Sequence, residues 1–477
     1  MSAVGAELTR IAREEAATVV CLGTPPGLEL GLDLRAWTVG SRFRGIKLVP
    51  PGLRFLHYAG AGAASVASAT AAPEPNERTA SKDTNAAAAA ARGLFVEVGA
   101  SQVLGLRWSP MDEDFGALPE YELVGLTEAV HRLELDPSLG PYDPNRYDLW
   151  QSLTCHISRE TLKRCNIELG CVILSGADLA GEPPGPAEGP SVRYCEARFT
   201  ALPNLPELAK QHRSDGVGGG PSHFFSREDG SRLSASEITA LQLDPTPLVA
   251  GLVRRCYAGS FAELWGEVEL AFTLFVYLAS LPGLEFWKLA VHLVSSCTTL
   301  EEIDGGEAAL VDFIAMLSAQ IQLLPHDLFY NDLLQDSFLR QSLGNLLAEE
   351  ERLGAAQRTQ RRAEQGASRV GASRVGAARA SLRRAIRTQF GRQALAQLLT
   401  SERTEEEAFQ AAAIEAAIHR DRGGAQASGL ADLGAADVDS DVAMLGDEDK
   451  VRSTRTGPAA LEREAASQAR MGWMLPP

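Results

Sequence analysis

The chain is poor in the groups from which catalytic and metal centres are usually built. Seven cysteines are scattered over 477 residues with no C-x-x-C pair among them. That odd number and irregular spacing argue against a secreted disulfide framework and for a reducing compartment. The eight histidines form no H-E-x-x-H sequence, and no G-x-x-x-x-G-K-[ST] run is present to cradle a triphosphate. Aromatic residues make up only 6%. Long apolar runs are missing as well. The most apolar window, residues 270–281, follows Glu267 and Glu269, and a bilayer needs about 20 apolar residues, so it reads as a buried helix. The start carries acidic and small residues rather than a basic stretch followed by an apolar one, so no signal peptide is expected. A soluble intracellular protein without a membrane partner is the expectation.

What is present suits a folded core. Hydrophobic residues are 45% and charged residues 22%, ordinary globular usage, and the length predicts two folded domains with extra material. A net charge of −17 makes the whole chain a poor polyanion binder, yet residues 351–400 hold eleven arginines against two glutamates. Residues 401–450 carry an acidic excess of nine. With the near-repeat GASRVGASRVGAARA at 366–380 and much Ala, Gly and Ser, this composition predicts a largely disordered charged tail over 351–477.

The predicted fold class is α+β multidomain. After an N-terminal extension at 1–15, residues 16–180 read as a β-rich domain, sandwich-like or barrel-like. A β-branched run at 18–22 ends in turn residues, and 46–49 and 53–58 flank Pro50, Pro51 and Gly52, read as a hairpin joint. Residues 94–98 and 103–108 repeat the pattern. The Ala/Gly/Ser-rich stretch 59–93 predicts a loop insertion between neighbouring strands. A helix is expected over 121–135 and a helical pair over 147–162, interrupted at Ser158. Two Gly/Pro-rich stretches mark a linker at 181–235. Ser234 and Glu237 then have capping-box spacing, and Phe261, Leu264, Val268, Phe272 and Phe275 recur at helical steps, which predicts an all-helical domain over 236–350.

No catalytic, cofactor or metal site is expected. Cys165 and Cys171 are too far apart for a paired zinc ligand set. Cys155 and His156 are adjacent, so their side chains are expected to point apart, giving a buried thiol beside a polar histidine. His57, inside an alternating strand, reads as packed, and Asp112, Glu113 and Asp114 as a solvated acidic turn. The stretch 352–392 offers arginines for direct RNA contact but almost no aromatics for base stacking. Phe224 and Phe225 stand in a polar linker as a candidate docking anchor. Arg42, Arg44 and Lys47 are the other candidate partner contacts, basic heads on an acidic domain.

Residues 37–58 read WTVGSRFRGIKLVPPGLRFLHY, and this string resembles the AAR-two splicing-factor family. Further blocks agree in order: VLGLRWS at 103–109, LGPYDPNRYDLWQSLTCHIS at 139–158, ELWGEVELAFTLFVYLASLPGLEFWKLAVHLV at 263–294 and LPHDLFYNDLLQDSFL at 324–339. The resemblance implies a β-rich N-terminal domain, a VHS-like helical domain and no catalytic residues. It implies a non-enzymatic assembly chaperone of the U-five snRNP, monomeric when free, found in cytoplasm and nucleus. Its implied partner is the Prp-eight scaffold protein, bound at the RNase H-like and Jab-type domains and mutually exclusive with the helicase Brr-two. Two domains on a pliable linker would form a clamp.

Overall fold

The computed structural model describes residues 15–60, 91–174, 192–204, 234–325, 338–347 and 374–400. Its first strands form two sheets. Strands β1 (Ala17–Leu22), β4 (Gly45–Val49), β7 (Val103–Ser109), β8 (Asp114–Ala117) and β9 (Leu139–Pro141) make one sheet in the order β8-β7-β1-β4-β9. The second has the order β11-β10-β6-β5-β2-β3, from β2 (Glu29–Leu32), β3 (Arg35–Thr38), β5 (Gly52–Ala59), β6 (Arg92–Val98), β10 (Val172–Ile173) and β11 (Tyr194–Cys195). Val19, Ile46 and Leu106 of the first sheet pack on Leu30, Leu56, Leu94 and Val96 of the second, so the domain is a sandwich.

The second sheet is covered on both faces, which explains why β5 is apolar at odd and even positions alike. Leu56 and Tyr58 face the first sheet, while Phe55 joins a second core shared with the helices. Pro50, Pro51 and Gly52 are therefore not a hairpin joint. β4 pairs with β1 and β9, β5 pairs with β2 and β6, and the Pro-Pro-Gly corner carries the chain from one sheet to the other. Gly52 takes the positive φ of 115° that this corner requires. β5 and β6 are antiparallel neighbours on either side of residues 61–90, which lie outside the described residues.

Helix α1 (Glu120–His131) packs against β7 of the first sheet. Helices α2 (Tyr147–Thr154) and α3 (Arg159–Arg164) follow, separated at Ser158, whose hydroxyl and Thr161 form a reciprocal cap. The helical region comprises α4 (Ala235–Leu243), α5 (Thr246–Cys256), α6 (Phe261–Leu278), α7 (Leu281–Ser295) and α8 (Gly306–Ile321), with 338–347 also helical. Ser234 caps α4 in the box with Glu237. No helix among the described residues is long and apolar enough to cross a membrane.

Two expectations change here. The helical region does not stop at 350: α9 (Arg374–Gln389) and α10 (Gly391–Thr400) pack on, with Val375, Leu382, Ile386, Phe390, Ala394 and Leu398 in the shared core. These residues recur at steps of four and seven, the stripe of a core-facing helix, and the arginine-rich composition around them hid it. Residues 401–477 lie outside the described residues. The pliable clamp is also replaced. Sheet residues Phe55 and Phe95, helix α2 and helix α6 belong to one hydrophobic core, so sandwich and helices form one body. Residues 192–204 of the expected linker are seated in it, with Thr200 donating from backbone and side chain to the Glu267 carboxylate.

A candidate partner-binding surface and a buried polar seam

Asp33 ends β2 in a left-handed conformation (φ 55°) and is buried. Its carboxylate accepts from Arg54 Nη1 at 3.2 Å, from the Phe55 amide at 3.0 Å and from Tyr142 Oη at 2.7 Å. Arg54, itself fully buried, also donates to the Pro50 and Pro51 carbonyls, each at 2.9 Å, and so pins the corner between the sheets. Its guanidinium lies 5.9 Å from the Tyr142 ring and 5.3 Å from that of Tyr147. Burial pushes the Asp33 carboxyl above the usual carboxylate range, with Arg54, the Phe55 amide and Tyr142 pulling it back. The two sequence blocks at 37–58 and 139–158 meet at this ion pair.

On the outer side of Tyr142 lies an open groove lined by Arg35, Trp37, Leu48, Pro141, Tyr142, Asp143 and Pro144. Arg35 is held across it by Asp143 at 2.9 Å and lies 5.8 Å from the Trp37 ring. Leu48 is 43% exposed although its φ is 61°. An exposed leucine in the left-handed region gains neither burial nor backbone relaxation by being there. Groove and neighbourhood can dock an extended, partly apolar segment; they bring no nucleophile and base together.

The expected contact residues fare differently. Arg42 and Arg44 are exposed on the chain between β3 and β4. Lys47 is not free-standing, because its Nζ is bound to Asp136 Oδ1 at 2.7 Å. Phe224 and Phe225 lie outside the described residues. Trp37 and Phe43 are partly buried against the sandwich core, and Phe55 is fully inside the other.

A polar seam joins sandwich to helices, and sequence reasoning missed it. Helix α6 sends Glu263 to Ser158, Thr161 and Arg164, with Arg164 Nη2 at 2.6 Å. Glu269, fully buried, receives His156 Nδ1 at 2.7 Å and the His156 amide at 2.8 Å. Gly266 lets the helix close on this loop, since a Cβ there would stand 2.3 Å from the His156 carbonyl oxygen. Cys155, expected to be buried with its side chain turned from His156, is instead exposed, with Sγ 3.3 Å from His156 Nδ1 and 3.5 Å from Glu269 Oε1. The chain leaves its helix at Cys155 and folds back, which undoes the divergence of neighbouring side chains. Hydrogen bonds to Cys155 and Glu269 push the His156 imidazole up to about 10. His57 is buried as expected, and desolvation lowers its imidazole to about 4. Asp114 is not a solvated turn residue: it is fully buried and receives Tyr58, Tyr194 and Arg92 at 2.9, 2.7 and 2.5 Å. The one signal for the helix acids was Glu267 and Glu269 inside an otherwise apolar helix, and nothing comparable marked Asp114.

A sandwich fused through a polar seam to a helical body, with an exposed aromatic groove, defines a two-part α+β scaffold. Residues 15–167 match the AAR2 N-terminal domain and residues 225–393 the AAR2 C-terminal repeat region, so the chain belongs to the AAR-two family. The second match runs through α9, in keeping with the helical region's extension beyond 350. Among its relatives, the chain is 26% identical to Protein AAR2 homolog of Homo sapiens over 343 residues, 69% of this chain and 81% of the relative. It is 24% identical to the Caenorhabditis elegans homolog, over 70% and 86% of the two chains. With the Oryctolagus cuniculus homolog the identity is 25%, over 71% and 81%.

Proposed function

We propose that the chain is a non-enzymatic pre-mRNA splicing factor that chaperones U-five snRNP assembly. In this reading it binds the Prp-eight scaffold at its RNase H-like and Jab-type domains and keeps the helicase Brr-two off until maturation. It is monomeric when free and works in cytoplasm and nucleus. The observation that carries the reading is that both halves of the AAR-two family match one chain whose sandwich and helices share a core. Exclusion of a competitor needs only an overlapping footprint, and a rigid body achieves that without ordering a linker on binding. Affinity purification of the tagged chain from cell extract tests it. Prp-eight recovered without Brr-two is the expected result, and both proteins on the same bait would count against exclusion.

A second reading draws on α9 and α10, where Arg374, Arg384, Arg387 and Arg392 are exposed. Four such charges on one helical pair suit phosphate contact. It predicts RNA crosslinks at these arginines that weaken steeply with salt, whereas the scaffold reading predicts none.

A further inference from the structure

Cys155 Sγ, His156 Nδ1 and a Glu269 carboxylate oxygen lie within 4.8 Å of one another. We propose that they form a zinc site with three protein ligands and a fourth position open to solvent at Cys155. Thiolate, imidazole and carboxylate are zinc's usual donors, with bonds of about 2.0–2.3 Å, which places ligand atoms roughly 3.3–3.6 Å apart around a tetrahedral ion. Sγ already stands at that spacing from both other atoms, at 3.3 and 3.5 Å. Nδ1 and Oε1 are closer, at 2.7 Å, because a proton now lies between them; the ion takes that proton's place, and the pair opens by about half an ångström. The remaining carboxylate oxygen is held at 2.8 Å by the His156 amide, an outer hydrogen bond of the kind that fixes a ligating carboxylate.

Charge and access agree with the geometry. Glu269 is fully buried, so its negative charge needs a partner, either a proton on the imidazole or a cation. A zinc ion with one thiolate and one carboxylate is neutral overall, and the thiolate favours zinc over magnesium or calcium. Binding releases the thiol proton and the imidazolium proton, so affinity rises with pH. The exposed Cys155 gives the ion a way in. A nucleophilic relay does not fit, because thiol and carboxylate both meet Nδ1, and a relay needs them on different ring nitrogens. Since Cys155 and His156 follow α2 while Glu269 belongs to α6, the ion staples the sandwich's helix pair to the helical body. The inference stands apart from the partner-binding reading.

The test is cobalt and zinc titration of the full-length chain after stripping with chelator. One equivalent of Co²⁺ should give a thiolate-to-cobalt charge-transfer band and tetrahedral visible absorption, both erased by Zn²⁺. Cys155→Ser and His156→Ala should each weaken binding by at least about tenfold, and Cys256→Ser, which is not one of the three ligands, should not. Zinc should raise the melting temperature of the wild-type chain and leave that of Cys155→Ser unchanged. A cobalt spectrum without the sulfur band, or Cys155→Ser binding as tightly as wild type, would reduce the cluster to hydrogen bonding alone. The wild-type spectrum decides even where a variant does not fold.

Discussion

Arg54 is the residue on which the sandwich corner depends most. Replacing it with Met leaves the Asp33 carboxylate buried and short of its cation, and removes the donors to Pro50 and Pro51. Arg54→Met should therefore cost about 3–5 kcal/mol of stability in urea denaturation. Asp33→Asn combined with Arg54→Met should recover part of that loss, because the stranded charge has gone; a double variant no better than the single one would mean the carbonyl bonds dominate. Two histidines add a pH signature. His57 sits near 4 in the fold, below the ordinary 6.5, so the unfolded chain binds more protons between those values and stability falls as pH drops from 6.5 toward 4. His156 sits near 10, so its contribution is complete below 6.5 and disappears as pH rises toward 10. Chelated protein should be most stable near pH 6.5, with His156→Gln flattening the alkaline limb only. A wild-type profile flat from 6.5 to 9 would contradict the His156 arrangement.

At the scale of elements, α6 and the loop after α2 approach each other closely at Gly266. Gly266→Ala drives a Cβ into the His156 carbonyl, a backbone atom that cannot swing aside, and should cost about 1–3 kcal/mol. Gly125 in α1 has open space where its Cβ would go, so Gly125→Ala should stabilise by about 0.5–1 kcal/mol. Opposite signs from the same substitution, read as melting temperatures, separate packing from helix propensity. The elements legible in the sequence were those with local punctuation. Ser158 and the Ser234–Glu237 box marked helix starts because caps act within three residues, and β-branched runs marked β1. The Pro-Pro-Gly corner was visible as a bend, but its chemistry does not say which strand pairs with which. Helix α9 was missed because charge counts outweighed the spacing of Val375, Leu382 and Ile386. Nothing local marked Asp114 as buried, and the apolar helix around Glu269 did not reveal its partner, because a buried acid depends on groups far along the chain, Tyr58 and Tyr194 for one and His156 for the other. Leu382→Ala, emptying a buried position on α9, should cost about 2–5 kcal/mol. A negligible loss would mean that α9 is not part of the folded body.

For the molecule as a whole, the separate sequence blocks of the family resemblance become one structure. The 37–58 block meets 139–158 at Arg54 and Tyr142, and 139–158 meets 263–294 at His156 and Glu269. Much of that resemblance is thus accounted for by assembly of the body, which leaves the exposed exceptions as the places to look for a partner. Leu48 is the sharpest of them. It is 43% exposed and left-handed at φ 61°, where a leucine costs roughly 1 kcal/mol relative to a relaxed backbone. Asparagine tolerates that conformation and water better, so Leu48→Asn should keep or raise the melting temperature. If the groove beside Trp37 and Tyr142 takes part in docking Prp-eight, the same change should weaken binding to its C-terminal domains by about tenfold, the loss expected for one buried apolar anchor. Arg42→Glu and Arg44→Glu should act differently, slowing association in a salt-dependent manner as rim charges do. A Leu48→Asn protein that is as stable as wild type and binds with undiminished affinity would remove the groove from the interface and leave the surface around Arg42 and Arg44 to be tested in its place.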